Sequence, residues 1–145
     1  EAEADFRRIG GIYWSVYGDK HYLVGIATSN LAGVYLARGD YKTAERMYRE
    51  AVSILSRAQS PDHLNTGIAR IKLGRSLLRQ GRTPEAERES KAGYDIVSKQ
   101  SAASVSWLKT AREDLADAYD ALHRPEEAAR FRAEAARVAR SAAPR

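Results

Sequence analysis

Apolar residues recur every three or four positions through most of the chain, which is the period of an amphipathic helix. One such stretch runs from Tyr22 to Arg38, and a second runs from Ala44 to Leu55. Gly39 and Asp40 separate the two, since glycine favours the left-handed position just past a helix and aspartate caps the next helix. The pattern predicts a pair of helices joined by a tight turn.

This pair of helices recurs at an offset of 42 residues, because segment 39–45 matches segments 81–87 and 123–128. Each copy has a large residue in the first helix and alanine in the second, at Leu31, Leu73 and Leu115 and at Ala44, Ala86 and Ala128. Small residues let two helices approach closely, and large ones fill the space between them. We therefore expect an all-α array of stacked helix pairs. An ordinary helical bundle with coincidental similarity is the alternative.

The repeat divides residues 1–145 into one array with three copies, at 19–60, 61–102 and 103–145, the last of which includes a C-terminal cap and tail. In the second copy, we expect Thr83 to cap a helix and Pro84 to be its first residue. Residues 1–18 align only with a second helix, so they predict a truncated repeat. Its apolar edge is expected to be exposed and to pair with a second copy of the chain, through Phe6, Ile9, Ile12, Tyr13 and Val16. The last helix is expected to face solvent with Arg130, Arg132, Arg137 and Arg140.

Composition narrows the classes of function. The 145 residues include 24 Lys and Arg against 19 Asp and Glu, and no cysteine, which excludes disulfides, thiol catalysis and zinc–thiolate sites. The basic excess lies mainly in residues 61–102 and is interspersed with acids, so a solvated surface is favoured over nucleic-acid binding. No long apolar run or leader is present, so we expect no membrane contact and a cytoplasmic location, or a periplasmic one if a parent protein spans a membrane.

Motifs for catalysis are missing from the sequence. There is no glycine-rich phosphate loop, no Walker pattern and no Gly-x-Ser-x-Gly turn. The histidines are spaced 42 and 60 residues apart, with none at metal-ligand spacing, and we expect His21 and His63 to cap helices or pack at junctions. The carboxylates Glu113, Asp114, Asp117 and Asp120 suggest a cation site or a charged groove wall, of which the wall is favoured. The sequence predicts no enzyme, no cofactor and no metal site.

The repeated residues resemble the tetratricopeptide repeat. That family's pattern has a large residue, a small residue and tyrosine in the first helix, as at Leu31, Ala32 and Tyr35. Its turn and second helix have glycine, alanine and an aromatic residue, and Gly39 and Tyr48 match. The later copies depart from the pattern at Leu77, Ser90, Gly93, His123 and Arg132. The resemblance implies a right-handed superhelix of antiparallel helix pairs and a protein-binding function.

The 42-residue period is similar to that of kinesin light chain repeats, which often carry the steps found at Asn30-Leu31-Ala32 and Asp62-His63. Segment 61–70 also resembles the repeat region that follows the catalytic domain of bacterial serine/threonine kinases. This second resemblance implies a regulatory or scaffolding part of a signalling protein whose catalytic domain lies outside this chain.

The resemblance implies that the first helices line a concave groove. Mapped onto it, the candidate binding residues are Asn30, Gly33, Lys72, Arg75, Arg79, Asp114 and Asp117. One hypothesis is that the three basic residues hold an acidic peptide, whose backbone bonds to Asn30. The alternative is that the basic residues only pair with Asp114 and Asp117. A further alternative is a structural spacer or self-association element that does not use the groove.

Overall fold

The computed structural model describes residues 1–101 and 105–143. Within these ranges the chain forms α-helices and no strand. The helices are α1 (Ala2–Tyr17), α2 (Tyr22–Ala37), α3 (Tyr41–Ala58), α4 (Leu64–Arg79), α5 (Thr83–Ser98), α6 (Val105–Ala121) and α7 (Pro125–Ala142). None of these helices is both long enough and apolar enough to cross a bilayer.

The helix starts follow the predicted period. Helices α2 and α4 begin 42 residues apart, and α3, α5 and α7 begin at intervals of 42. The connections between α2 and α3 and between α4 and α5 place Gly39 at a φ of 82° and Gly81 at 74°. His123 adopts a φ of 57° at the equivalent turn, a left-handed conformation that is uncommon for a residue other than glycine.

Helix caps agree with the predictions at three of four positions. The Asp40 carboxylate accepts a hydrogen bond from Thr43 N at 3.2 Å and caps α3. His21 and His63 cap α2 and α4 in the same way. The Nδ1 atom of each histidine accepts a hydrogen bond from the backbone N–H two residues later. The prediction for Thr83 is wrong.

The cap of α5 is Arg82, and Thr83 and Pro84 both lie in the first turn. The helix begins one residue early because the Arg82 carbonyl already accepts a hydrogen bond from Ala86 N at 3.0 Å. Proline fits at this place, since the first-turn N–H groups have no partner within the helix.

Helix packing makes the array curved. Each helix packs against the next in the chain, and α2 and α6 also pack against α4. The backbones of α3, α5 and α7 do not contact one another in the part of the chain that the structure describes. The helices α2, α4 and α6 therefore stand closer together and form the inner side of the curve.

The core lies between the helix pairs. The alanines expected at the positions of close helix approach are at most 1% exposed: Ala44, Ala86 and Ala128. Leu73 and Leu115 are also buried. Leu31 is only half-buried, because it borders a hollow between α1 and α3.

Two departures from the family pattern fit each other across α4 and α5. Ser90 is buried, and its hydroxyl lies 2.1 Å from where a side chain on Gly74 would begin. A side chain on Gly93 would begin 2.6 Å from the carbonyl oxygen of Gly67. Small residues on both helices therefore let the two backbones come into contact.

The N-terminal helix is the least buried element. None of the residues of α1 is buried, and Ile9, Ile12 and Val16 are 40–64% exposed. The predicted exposed apolar edge is therefore present, although Phe6 and Tyr13 are half-buried. At the other end of the array, the four arginines expected to face solvent on α7 are exposed.

Candidate functional site

Three adjacent hollows lie along the inner helices, and we call them together the groove. The first encloses about 190 Å³, and Asn30 and Lys72 line it. The second, of about 440 Å³, has Gly33, Arg75 and Arg79 in its wall. The third, of about 490 Å³, shares both arginines with the second and adds Asp114 and Asp117. The structure thus brings all seven predicted residues to one surface.

Lys72 is a cation without an acidic partner among the described residues. Its ammonium nitrogen lies 3.5 Å from the Ser29 hydroxyl and 4.7 Å from the centre of the Trp107 ring. Burial lowers the pKa of Lys72, since a half-buried ammonium loses part of its hydration. The indole face attracts the positive charge without neutralising it.

Trp107 is a groove residue that the sequence did not identify. Its ring packs against the buried cluster around Ile71 and Leu108. It also lines the first hollow. The sequence carried no signal for this position, because only the structure shows that Asn65, 42 residues earlier, lines the same hollow.

Asn30 and Gly33 form the α2 side of the groove. Asn30 is exposed, and its side-chain amide makes no hydrogen bond to the rest of the described chain. A side chain on Gly33 would begin 3.5 Å from the Tyr48 hydroxyl, which is ordinary contact. This side of the groove therefore offers a free amide and an open stretch of helix.

The third hollow contains a buried acid. Asp114 is 5% exposed, its Oδ1 lies 3.6 Å from Arg75 Nε, and its Oδ2 has no hydrogen-bond partner in the described part of the chain. Burial raises the pKa of Asp114 to about 6, while the positive charges of Arg75 and Arg79 oppose the rise. The separation from Arg75 is that of an ion pair and exceeds a good hydrogen bond.

The remaining charges of the groove are divided between paired and unpaired groups. Asp120 pairs with Arg132, and Glu113 lies 4.0 Å from Lys109 on its own helix. Arg79 and Asp117 are exposed and have no ion-pair partner among residues 1–101 and 105–143. Of the three basic residues predicted for the groove, only Arg75 therefore pairs with a groove acid in the part of the chain that the structure describes.

Arg112 closes the far end of the third hollow and was not predicted. It is buried, its Nε lies 3.3 Å from Glu134 Oε1, and its guanidinium stands 5.7 Å from the Tyr94 ring centre. The Tyr94 hydroxyl donates to the same Glu134 carboxylate. This cluster joins α5, α6 and α7 and so gives the end of the groove a fixed wall.

The described residues contain no group of three His, Asp or Glu side chains placed to hold a metal ion. What the groove offers is therefore a set of contacts for binding: two unpaired cations, a free amide, an aromatic face and a buried acid. Extended concave surfaces of this kind are what repeat proteins use to bind partners.

The fold and the groove define an α-solenoid, and the comparisons give its family. The family model of the tetratricopeptide repeat matches residues 1–57 and 23–99. These matches span more than half of the chain, and the chain belongs to the tetratricopeptide repeat family. The two matched segments end at residues 57 and 99, which are one 42-residue period apart.

Solved structures share this fold at low sequence identity. BtubC (BKLC) from P. vanneervenii superposes with a TM-score of 0.82 at 16% identity, covering 99% of this chain and 58% of that one. A putative kinesin light chain with nearly identical TPR-like repeats, from Podosopora anserina, gives 0.79 at 18% identity, covering 98% of this chain and 67% of that one. The chain thus spans little more than half of the first of these proteins. No curated protein matches its sequence.

Tetratricopeptide repeats generally mediate protein–protein interactions, and this chain carries such repeats. The kinesin-light-chain resemblance of the sequence is confirmed, since the family model matches and the structural neighbours include a putative kinesin light chain with TPR-like repeats.

Proposed function

We propose that the groove binds a protein segment that carries at least one acidic group. The observation that carries this proposal is that Lys72 and Arg79 stand in the groove with no acidic partner in the described part of the chain. A half-buried ammonium gains more from a ligand carboxylate than an exposed one does, because water screens it less. Arg79 is exposed and free to bind a carboxylate through two N–H groups.

The other groove residues have roles that suit an extended segment. Asn30 donates to and accepts from the backbone of the segment, since its amide has both kinds of group and no hydrogen-bond partner among residues 1–101 and 105–143. Gly33 leaves room for the segment beside α2, and Trp107 offers a flat apolar face next to Lys72. Arg75 and Asp117 contact the segment in the second and third hollows, where Asp114 forms part of the wall.

A binding measurement with a defined probe tests the proposal. The probe is a fluorescein-labelled peptide of alternating glutamate and serine, titrated by fluorescence anisotropy at low salt. We expect Arg79→Glu and Arg75→Glu each to weaken binding by about tenfold, because each replaces an attraction with a repulsion. The matched control is Arg88→Glu on α5, an exposed arginine outside the groove that changes net charge equally.

The control is expected to change affinity by less than about twofold, since its charge lies outside the groove. Equal effects of Arg79→Glu and Arg88→Glu would mean that only net charge matters, and would reject the groove as the binding site. Binding that neither groove variant weakens would reject it as well.

We further propose that the array is the regulatory or scaffolding part of a larger signalling protein, such as a bacterial serine/threonine kinase, and that it works in the cytoplasm. Segment 61–70 and its resemblance to repeats of such kinases support this. The open reading frame that encodes the chain tests it, because a kinase catalytic domain is expected in the same frame.

A second candidate function is self-association through α1. Helices α3 and α5 each lie between two neighbours, whereas α1 packs against α2 alone within the described residues. Its uncovered side carries Ile9, Ile12 and Val16, and the helix has two acidic and two basic residues, so two copies meet without repulsion. Burial of this apolar stripe favours a second copy of the chain as its partner.

Sedimentation at several protein concentrations tests this candidate. We expect a dimer whose dissociation increases in the variant Ile12→Glu with Val16→Glu, while Arg79→Glu leaves it intact. A chain that sediments as a monomer at all concentrations would exclude self-association.

A further inference from the structure

Asp114 is an unusual residue for its position in the repeat. The equivalent residues of the other two helix pairs are Asn30, which is exposed, and Lys72, which is half-buried. At Asp114 the side chain is 94% buried, and one carboxylate oxygen has no partner among the described residues. Burying an acid with incomplete hydrogen bonding is unfavourable. Such conflicts between a residue and its surroundings concentrate at functional sites.

The charged groups around Asp114 come from three helices. Helix α4 contributes Arg75 and Arg79, and α7 contributes Arg132, which pairs with Asp120. Helix α6 contributes the charged residues near Asp114 in the helix. The neighbours on α6 are Arg112, Glu113 and Asp117. No described lining residue of this hollow belongs to α5. Arg75 is the cation nearest to Asp114, and its other side faces the second hollow.

Arg75 therefore stands between two possible partners. Its Nε lies 3.6 Å from the Asp114 carboxylate, and the residue also lines the second hollow of the groove. The pair is loose, because its length exceeds a hydrogen bond, and Arg75 keeps about a third of its side-chain surface exposed. An acidic group in the groove would compete with Asp114 for the same guanidinium.

We propose that Asp114 is an internal competitor for Arg75, which it holds while it is ionised and releases to an acidic group of the bound segment when it is protonated. The proposal rests on the proposed function, and it adds a residue that sets how strongly the groove attracts acids. The proposal predicts that removing the charge of Asp114 strengthens the binding of an acidic segment. Mild acidification has the same effect on the unaltered chain.

The isosteric variant Asp114→Asn tests the competition, with Asp117→Asn as its matched control. Both remove one negative charge from the same hollow, but only Asp114 pairs with Arg75. At pH 7.5 we expect Asp114→Asn to bind the glutamate–serine peptide about fivefold more tightly, the effect of one partly exposed ion pair. The gain from Asp117→Asn is expected to stay below about twofold. Equal gains would overturn the proposal.

The pH dependence gives a second test with the same peptide. Between pH 7.5 and 5.5 we expect the unaltered chain to bind about fivefold more tightly, while Asp114→Asn stays nearly constant. The glutamates of the peptide remain largely ionised over this range, because their ordinary pKa is about 4.3. An equal pH response of the chain and of Asp114→Asn would contradict the competition.

A measurement without peptide separates this proposal from the proposed function. In the free protein, NMR follows the Asp114 carboxyl carbon and the Arg75 Nε–H group during a pH titration. We expect both signals to change with one midpoint, and the Arg75 change to vanish in Asp114→Asn. If Arg75 does not respond to Asp114, the competition is wrong. If no variant binds the peptide at either pH, the proposed function and the competition that rests on it are wrong, and the NMR result then decides only whether Asp114 holds Arg75.

Discussion

Single residues of the groove differ in what their surroundings do to their charge. Lys72 lies beside an indole ring and burial lowers its pKa, whereas Asp114 is buried against an arginine that lies too far away to satisfy it. Burial raises the pKa of Asp114 to about 6, so the folded chain holds this proton more tightly than the unfolded chain, where an aspartate has a pKa of about 3.9. The stability of the fold is thereby linked to pH.

The sign of this linkage follows from the two pKa values. Below about pH 4 the carboxyl is protonated in both states and has no effect on stability; above about pH 6 it is ionised in both, and burial destabilises the fold. The free energy of unfolding therefore decreases as pH rises from about 4 to about 6. We expect Asp114→Asn to raise the free energy of unfolding at pH 7 by roughly 2–3 kcal/mol, and to have little effect at pH 4.

Urea unfolding of the chain and the variant at both pH values measures this difference. Comparing the two proteins at each pH cancels the contributions of the other acids. The exposed Asp117→Asn is expected to stay within about 0.5 kcal/mol of the unaltered chain. A loss of stability in Asp114→Asn at pH 7 would show that the carboxylate supports the fold.

At the scale of the helices, close approach between α4 and α5 decides how the second pair is built. Both helices have small residues at the contact, so the backbone of one touches the backbone of the other. The sequence presented Ser90 and Gly93 as departures from the family pattern. These small residues fit closely against α4, because a larger residue at position 93 would collide with the Gly67 carbonyl and the Ile71 backbone.

The variant Gly93→Ala is therefore expected to destabilise the chain by about 1–3 kcal/mol, the usual effect of overpacking. Its control is Gly11→Ala, at a helical position where the added carbon meets nothing within 4 Å. This control is expected to stabilise the chain by up to about 1 kcal/mol, since alanine favours helix more than glycine does. Thermal melting followed by circular dichroism measures both. A higher melting temperature of Gly93→Ala would mean that α5 moves away from α4 without a cost in free energy.

In the whole molecule, each helix depends on its neighbours along the array. Helix α4 packs against α2, α3, α5 and α6, whereas α1 packs against α2 alone within the described residues. Ion pairs also link successive pairs, since Arg82 holds the Glu45 carboxylate across the α3–α5 boundary at 2.7 Å. Stability in such arrays is close to a sum of terms from each unit and its neighbours, so it is expected to be greatest at the centre.

Amide hydrogen exchange measures this gradient. In dilute protein we expect the amides of α4 to exchange most slowly and those of α1 most rapidly, with α7 in between. If two chains associate through α1, its exchange slows as concentration rises, while that of α7 does not. Equal protection of all helices in dilute protein would contradict a neighbour-dependent array.

The sequence by itself determined the period, the turns, the histidine caps and the alanine contacts of this protein. These are local properties: glycine, aspartate and a spacing of three to four residues act on the backbone within one or two turns. The exposed edge of α1 was also predictable, because the repeat aligns residues 1–18 only with a second helix.

The tertiary structure decided which charges are paired and which are free. Asp114 and Asp117 are three residues apart on one helix, yet one is buried beside Arg75 and the other is exposed. Trp107 packs against the core and also lines the groove. These outcomes depend on distances between helices far apart in the chain, and on how much water each side chain keeps, neither of which the local pattern contains.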